Sequence, residues 1–92
     1  IDETAYTQPA LFAVEVGLAR MWQSWGIEPS VVIGHSVGEF AAACVAGAMD
    51  LADGVRLIAE RGRLMHSLPR GGAMCVLFAP PDVVRDIIAR YG

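Results

Sequence analysis

Lysine is absent from the sequence and charged residues are few, so functions that depend on dense charge are disfavoured. All seven cations are arginines, scattered from Arg20 to Arg90, and the net charge is −3. A nucleic-acid interface needs clustered basic residues. No apolar run approaches the roughly 18 residues of a membrane span, and Asp2 and Glu3 stand where a signal peptide would be basic. We therefore expect no nucleic-acid partner, no membrane partner and no signal peptide.

Cysteine is also scarce. Cys44 and Cys75 lie in apolar stretches and are too few for a disulfide scaffold. They could pair, but free buried thiols in a reducing cytoplasm are favoured, and neither has the partners for a metal site. The 92 residues allow at most one small domain, and 54% of them are apolar, which calls for a large core. Because the first residue is Ile1, we expect a piece of something longer.

Hydrophobic periodicity predicts the order helix, strand, helix, helix, joint, strand, helix. The first helix is capped by Thr7, has Pro9 in its first turn and is ended by Gly26; a strand over 31–33 and a helix over 40–46, ended by Gly47, follow it. The third helix has an N-cap at Asp50, supported by the acid Asp53, and runs to about Ser67. After the joint come a strand over 73–78 and a helix opened by Pro80-Pro81-Asp82. The joint, Arg70-Gly71-Gly72, is either a subdomain boundary or a simple loop. This order indicates an α/β fold.

Gly34-His35-Ser36-Val37-Gly38 follows an apolar strand and precedes a helix, which is the context of a nucleophile elbow. The serine must sit on a sharp, strained turn, and the two glycines let neighbouring segments pass close by. The following helix points its N-terminus at the serine, where its dipole favours developing negative charge. We predict that Ser36 is a nucleophile and that the Val37 N–H donates to the oxyanion. The alternative is a structural glycine turn.

Two neighbours of the serine invite a catalytic interpretation that we do not favour. His35 adjoins Ser36, but neighbouring side chains diverge on an elbow, so His35 is a poor general base. It is better interpreted as a histidine packed beside the site. Glu39 lies in the first helical turn, where an acid gains from the dipole whatever the function.

Arg61 falls in the apolar arc of its predicted helix. The residues on the same side are Leu57, Met65 and Leu68, with Gly54 and Gly62 leaving room. A buried cation needs a partner, which could be a structural carboxylate, or the side chain could reach the surface. The partner could also be a ligand carboxylate, which the planar guanidinium binds bidentately. A serine nucleophile upstream favours the ligand.

Three segments then stand in a familiar order and spacing: Thr7-Gln8-Pro9-Ala10-Leu11, Gly34-His35-Ser36-Val37-Gly38-Glu39 and Arg61-Gly62-Arg63-Leu64-Met65. Together they resemble the malonyl-CoA:acyl carrier protein transacylase family, and most closely the acyltransferase domains of modular (type I) polyketide synthases. The resemblance runs from Thr7 to about Met74.

The resemblance implies roles for particular residues. Ser36 would take the acyl group from malonyl-CoA or a related acyl-CoA, and Arg61 would grip the free carboxylate of a malonyl or methylmalonyl group. Val37 would supply one oxyanion donor, and its aliphatic side chain weakly favours malonyl. Gln8 would support the site. The acceptor would be the phosphopantetheine thiol of an acyl carrier protein, beside other domains of a cytoplasmic synthase for polyketides or fatty acids. No bound cofactor is implied.

The family fold is an α/β-hydrolase-like core with an inserted ferredoxin-like subdomain. Residues 1–70 would belong to the core, and residues 71–92 would begin the small subdomain. The family's second oxyanion donor and its histidine base are missing, the latter lying beyond Gly92, and His66 is not taken as that base. We therefore expect the isolated chain to be inactive. A serine esterase or thioesterase is the alternative, but it gives Arg61 no role. An inert packing module is a third reading.

Overall fold

The computed structural model describes residues 3–69 and 71–91, which contain four helices. Helix α1 spans Thr4–Ser24, α2 spans Gly38–Val45, α3 spans Leu51–His66 and α4 spans Pro81–Tyr91. All four were predicted from the sequence. None of the described helices combines the length and apolar character needed to cross a membrane.

Helix α1 begins one turn earlier than the sequence predicts. Its N-cap is Glu3, and Thr7 lies inside the first turns, where its hydroxyl donates to the Glu3 carbonyl at 3.0 Å. The prediction that Thr7 caps the helix is therefore wrong, and Pro9 sits inside the helix. The cause is tertiary packing, because the backbone of Thr4 and Ala5 lies against Gly62 of α3.

The prediction that glycines end α1 and α2 is confirmed. Gly26 has a φ of 80° and Gly47 a φ of 73°, a region open mainly to glycine. The amides of Gly26 and Ile27 donate back to the last turn of α1, and those of Gly47 and Ala48 do the same for α2. Both ends are Schellman motifs, which satisfy carbonyls left unpaired at a helix C-terminus.

The start of α3 also agrees with the sequence. A carboxylate oxygen of Asp50 accepts a hydrogen bond from the Asp53 N–H at 2.7 Å. This N-cap satisfies one of the amides that a helix start leaves without a partner.

The three helices α1, α2 and α3 share one small core. Its buried apolar members are Phe12, Val16, Ala41, Cys44 and Ile58. A Cβ on Gly54 would lie 2.6 Å from the Cys44 sulfur, and one on Gly62 would lie 3.1 Å from the Thr4 carbonyl. The two glycines therefore set the close approach of α3 to its neighbours, and do not leave room around Arg61 as the helical wheel suggested.

The predicted strand segments are mostly exposed, and in the described part of the chain they pair with no other strand. Residues 31–35 and 72–78 carry no ladder, and Ile33 is 95% exposed. Helix α4 buries no residue and contacts none of the other three helices described. The radius of gyration is 16.9 Å, against about 12 Å for a compact domain of this length.

A strand exists through its pairing with a neighbour, and the described residues offer none to either segment. The α/β fold class and the subdomain boundary at 70/71 therefore stay predictions. Arg70, the first residue of the predicted joint, lies outside the described residues.

Candidate active site

Ser36 occupies a strained turn directly before α2. Its φ is 55°, and among the described residues no other non-glycine residue has a positive φ. Such a conformation costs about 1–3 kcal/mol and persists where the surroundings enforce it. The amides of Gly38, Glu39 and Phe40 donate to the carbonyls of residues 35, 36 and 37, so the turn closes directly into the helix. This is the backbone that a nucleophile elbow requires.

The two glycines of the motif are not equivalent. A Cβ on Gly34 would lie under 3.0 Å from three backbone atoms, the N and Cα of Glu39 and the carbonyl carbon of Gly38. A Cβ on Gly38 would meet only the Glu15 carboxylate, at 3.7 Å, which is ordinary contact. The predicted close approach of backbone segments is therefore present at Gly34, which lies against the start of α2. At Gly38 no described neighbour demands a glycine.

Arg61 reaches Ser36 from α3. Its Nη2 donates to the Ser36 Oγ at 3.1 Å, and its guanidinium carbon lies 5.9 Å from the centre of the Phe40 ring. The ion pairs of neighbouring arginines, Arg56–Asp53 and Arg63–Glu60, lie elsewhere on the helix. Within residues 3–69 and 71–91 no carboxylate pairs with Arg61, so the structural ion pair considered above is not seen there.

Gln8 binds the terminal Arg61 nitrogen that does not contact Ser36. Its Oε1 accepts a hydrogen bond from Arg61 Nη1, and its Nε2 donates to Thr4 Oγ1 at 2.7 Å and to the Met65 sulfur at 3.3 Å. The side chain is only 4% exposed. Because both ends of the amide are engaged, Gln8 fixes the guanidinium beside Ser36.

Two contributors to this arrangement, Thr4 and Phe40, were not predicted from the sequence, and Met65 was placed beside Arg61 on the helical wheel without its contact with Gln8. A signal was present for Thr4, which precedes Gln8 by four residues on α1, and for Met65, which follows Arg61 by four residues on α3. Phe40 had no such signal, because Ser36 lies on the turn before α2 and not on the helix. Residues four apart on a helix share a face. What spacing could not supply was the contact between α1 and α3.

Val37, the predicted oxyanion donor, lies between Ser36 and the first residue of α2. It is the N-cap of α2, and its side chain packs against the core. Its N–H donates to no acceptor in the described part of the chain, whereas the next three amides are bonded. An unengaged N–H at the positive end of a helix, next to the predicted nucleophile Ser36, is suited to a developing negative charge.

Neither histidine hydrogen-bonds to the serine hydroxyl in the part of the chain that the structure describes. The His35 side chain is exposed and borders a cleft of about 650 Å³ between α1, residues 31–35 and α2. Neither Ser36 nor Arg61 lines that cleft. His66 ends α3 and borders a separate hollow beside Met65. Of the described residues, Arg61 is the one whose side chain bonds to Ser36 Oγ, and no three potential ligands among them gather to hold a metal ion.

Comparison with known proteins identifies the class. The sequence profile described as the acyl transferase domain matches residues 1–88. The chain therefore belongs to the acyl transferase domain family, and the family resemblance drawn from the three motifs is confirmed.

Individual relatives are synthases of much greater length. The chain is 59% identical, over 96% of its residues, to the PKS-NRPS hybrid synthetase ATPKS of Aspergillus niger, of which this match covers 5%. It is 55% identical, over 97%, to the polyketide synthase GfsA of Streptomyces halstedii, covering 1% of it. It is 55% identical, over 91%, to the phenolphthiocerol synthesis polyketide synthase type I Pks15/1 of Mycobacterium marinum, covering 4%. The chain thus spans a few per cent of each of these relatives.

Proposed function

We propose that the chain is the nucleophile-bearing part of a polyketide synthase acyltransferase domain, which loads a malonyl-type group from CoA onto Ser36. The group then passes to the phosphopantetheine thiol of an acyl carrier protein, in polyketide or fatty acid biosynthesis. The observation that carries this proposal is the guanidinium of Arg61 beside the Ser36 hydroxyl. Methylmalonyl has the same carboxylate and would be accepted by the same contacts, with Val37 weakly favouring malonyl.

The chemistry of a malonyl thioester explains why a cation belongs there. Its free carboxylate is two carbon–carbon bonds from the carbonyl carbon that the serine attacks. When that carbon lies within attacking distance of Oγ, about 3–3.5 Å, the carboxylate is close to the same oxygen. A guanidinium within hydrogen-bonding distance of Oγ is therefore placed to bind it.

The transfer has two steps, acylation of Ser36 and transfer of the acyl group to the carrier thiol. Ser36 Oγ bonds to the thioester carbon, its proton passes to a general base, and the carbon–sulfur bond breaks to release CoA as its thiol. The carrier thiol then attacks the acyl-serine, its proton is taken up in turn, and the serine hydroxyl is regenerated. The Val37 N–H stabilises the oxyanion of both tetrahedral intermediates. Arg61 holds the carboxylate and so orients the carbonyl.

The general base has to come from outside the described contacts of Ser36, because neither His35 nor His66 bonds to its hydroxyl. A serine without a base is a weak nucleophile. The isolated 92-residue chain is therefore expected to turn over little or no substrate, and experiments on activity need the complete acyltransferase domain.

A serine esterase or thioesterase is the competing function. It uses the same elbow and would account for Ser36, but it has no use for Arg61. Membership of the acyl transferase domain family also disfavours it.

Replacing Arg61 distinguishes the two functions. A hydrogen bond to a charged group contributes about 1.5–3 kcal/mol, so Arg61→Ala should reduce the kcat/KM preference for malonyl-CoA over acetyl-CoA by roughly 10- to 100-fold. Arg63→Ala is the matched control, because Arg63 is exposed and pairs with Glu60. An unchanged preference in Arg61→Ala would overturn the role of Arg61 and favour the esterase.

A further inference from the structure

We infer that the hydrogen bond from Arg61 masks Ser36 and that a substrate carboxylate uncovers the serine as it binds. This inference rests on the proposed function and adds a step to it. Arg61 would then act on neutral acyl groups as well as on malonyl, by making the nucleophile less available to them.

The first support is the direction of the hydrogen bond. Arg61 Nη2 donates to Ser36 Oγ at 3.1 Å, and a guanidinium can only donate. The bond therefore occupies one of the two lone pairs of the hydroxyl oxygen and draws electron density from the oxygen that must attack the thioester carbon. The donor is also charged, which makes the bond one of the stronger kinds in proteins.

The second support is that the guanidinium is held in this position from other sides. Gln8 accepts from Nη1, and the Phe40 ring faces the guanidinium carbon at 5.9 Å. Gln8 is itself fixed by Thr4 and Met65. The contact with the serine hydroxyl is therefore one of three that place the head group, and is not a chance approach of a loose side chain.

The third support is that a substrate carboxylate can compete with Ser36 for the Arg61 guanidinium. No carboxylate in the described part of the chain pairs with Arg61, so a substrate carboxylate meets no internal rival there. A carboxylate binds a guanidinium more strongly than a neutral hydroxyl does. A malonyl group therefore compensates for breaking the Arg61–Ser36 bond, whereas an acetyl group does not.

A guanidinium beside Oγ could instead speed the attack by stabilising the alkoxide. For a reagent without a carboxylate, masking by Arg61 slows the reaction of Ser36, whereas alkoxide stabilisation by Arg61 speeds it. The change in rate on removing Arg61 therefore distinguishes the two. A neutral phosphonyl fluoride is suitable: the serine oxygen bonds to phosphorus, fluoride leaves, and the serine proton passes to the general base.

The experiment measures the second-order rate of Ser36 phosphonylation in the complete acyltransferase domain by intact mass. Masking predicts that Arg61→Ala reacts about tenfold faster than the parent, equivalent to about 1.4 kcal/mol in the barrier, while Arg63→Ala reacts at the parental rate. An unchanged or slower rate in Arg61→Ala overturns the inference. Because misfolding would slow the reaction, a gain cannot arise from it. Arg61→Met, which keeps the apolar stem and removes the donors, carries the same prediction should Arg61→Ala fail to fold.

Malonyl and acetyl transfer by the same variants separates this inference from the proposed function. Loss of the malonyl preference without faster phosphonylation overturns masking and leaves the proposed function standing. Faster phosphonylation with an intact malonyl preference supports masking and overturns the role of Arg61 in substrate binding.

Discussion

Replacing Gly34 by alanine tests whether the backbone around Ser36 is as tightly determined as its geometry indicates. The added methyl group would lie under 3.0 Å from three backbone atoms of residues 38 and 39. Side chains can rotate away from such a contact, but backbone atoms at the start of a helix cannot. The elbow has to open, and Ser36 has to move with it.

The size of the effect follows from the contact. Overpacking costs about 1–3 kcal/mol, and three backbone contacts argue for the upper end of that range. The restricted unfolded chain returns about 0.4–1 kcal/mol, which leaves a net loss of about 2 kcal/mol. A displacement of the nucleophile by about 1 Å reduces the rate roughly 100-fold, so acylation should suffer more than stability.

Gly38→Ala is the matched control within the same motif. Its methyl group meets only the Glu15 carboxylate at 3.7 Å, and alanine is favoured over glycine in a helix by about 1 kcal/mol. Denaturant unfolding and the rate of acyl-serine formation should be measured on both variants of the complete domain. Equal losses in the two variants, or a harmless Gly34→Ala, would refute the steric argument.

Three further perturbations test the surroundings of the site by denaturant unfolding and thiol labelling. Ile58→Ala should destabilise by about 2–5 kcal/mol, because Ile58 is 1% exposed; a loss no larger than the roughly 1 kcal/mol of Ile58→Val would contradict its central place in the core. Asp50→Ala should cost about 1 kcal/mol through the lost N-cap of α3, and Asp50→Asn should recover most of it. Burial, with a smaller contribution from Asp50, raises the pKa of the Cys44 thiol. The folded state therefore favours the neutral thiol. The contribution of Cys44 to the free energy of unfolding is fully present below the unfolded-state pKa of about 9.0 and is lost as pH rises through the higher pKa of the folded state. Cys75 is a free cysteine too but is exposed, contrary to the expectation that both thiols are buried. Iodoacetamide should therefore label Cys75 readily and Cys44 slowly until the protein unfolds, and rapid labelling of Cys44 in the native protein, located by peptide mapping, would refute this.

Features controlled by one or two neighbouring residues were predictable from the sequence. The stops at Gly26 and Gly47 and the cap at Asp50 depend on local backbone chemistry, and the structure has all three. Ser36 and Arg61 were each singled out by a local pattern, the elbow motif and the position on a helical wheel. The structure places these two residues in contact through a hydrogen bond.

Features set by contacts between distant segments were not predictable in the same way. Gln8 is 53 residues from Arg61, and nothing in the helical period of α1 indicates that its amide fixes a guanidinium on α3. The early start of α1 has the same origin, because Gly62 of α3 is what its first turn packs against. Gly34 and Gly38 look alike in the motif, and only the position of Glu39 distinguishes them.

The predicted strands show the limit of local reasoning most clearly. The β-branched run at 31–33 favours extended backbone, but a sheet requires neighbouring strands. The described residues provide no such neighbour, so the run alone does not establish the α/β class.

The most direct test of the account is the mass of the complete acyltransferase domain after brief exposure to malonyl-CoA, with peptide mapping of the modified residue. If Ser36 is the nucleophile, the parent protein should carry one malonyl group on Ser36 and the Ser36→Ala variant should carry none. A malonyl group on another residue, or undiminished loading of Ser36→Ala, would contradict the assignment of Ser36 as the nucleophile.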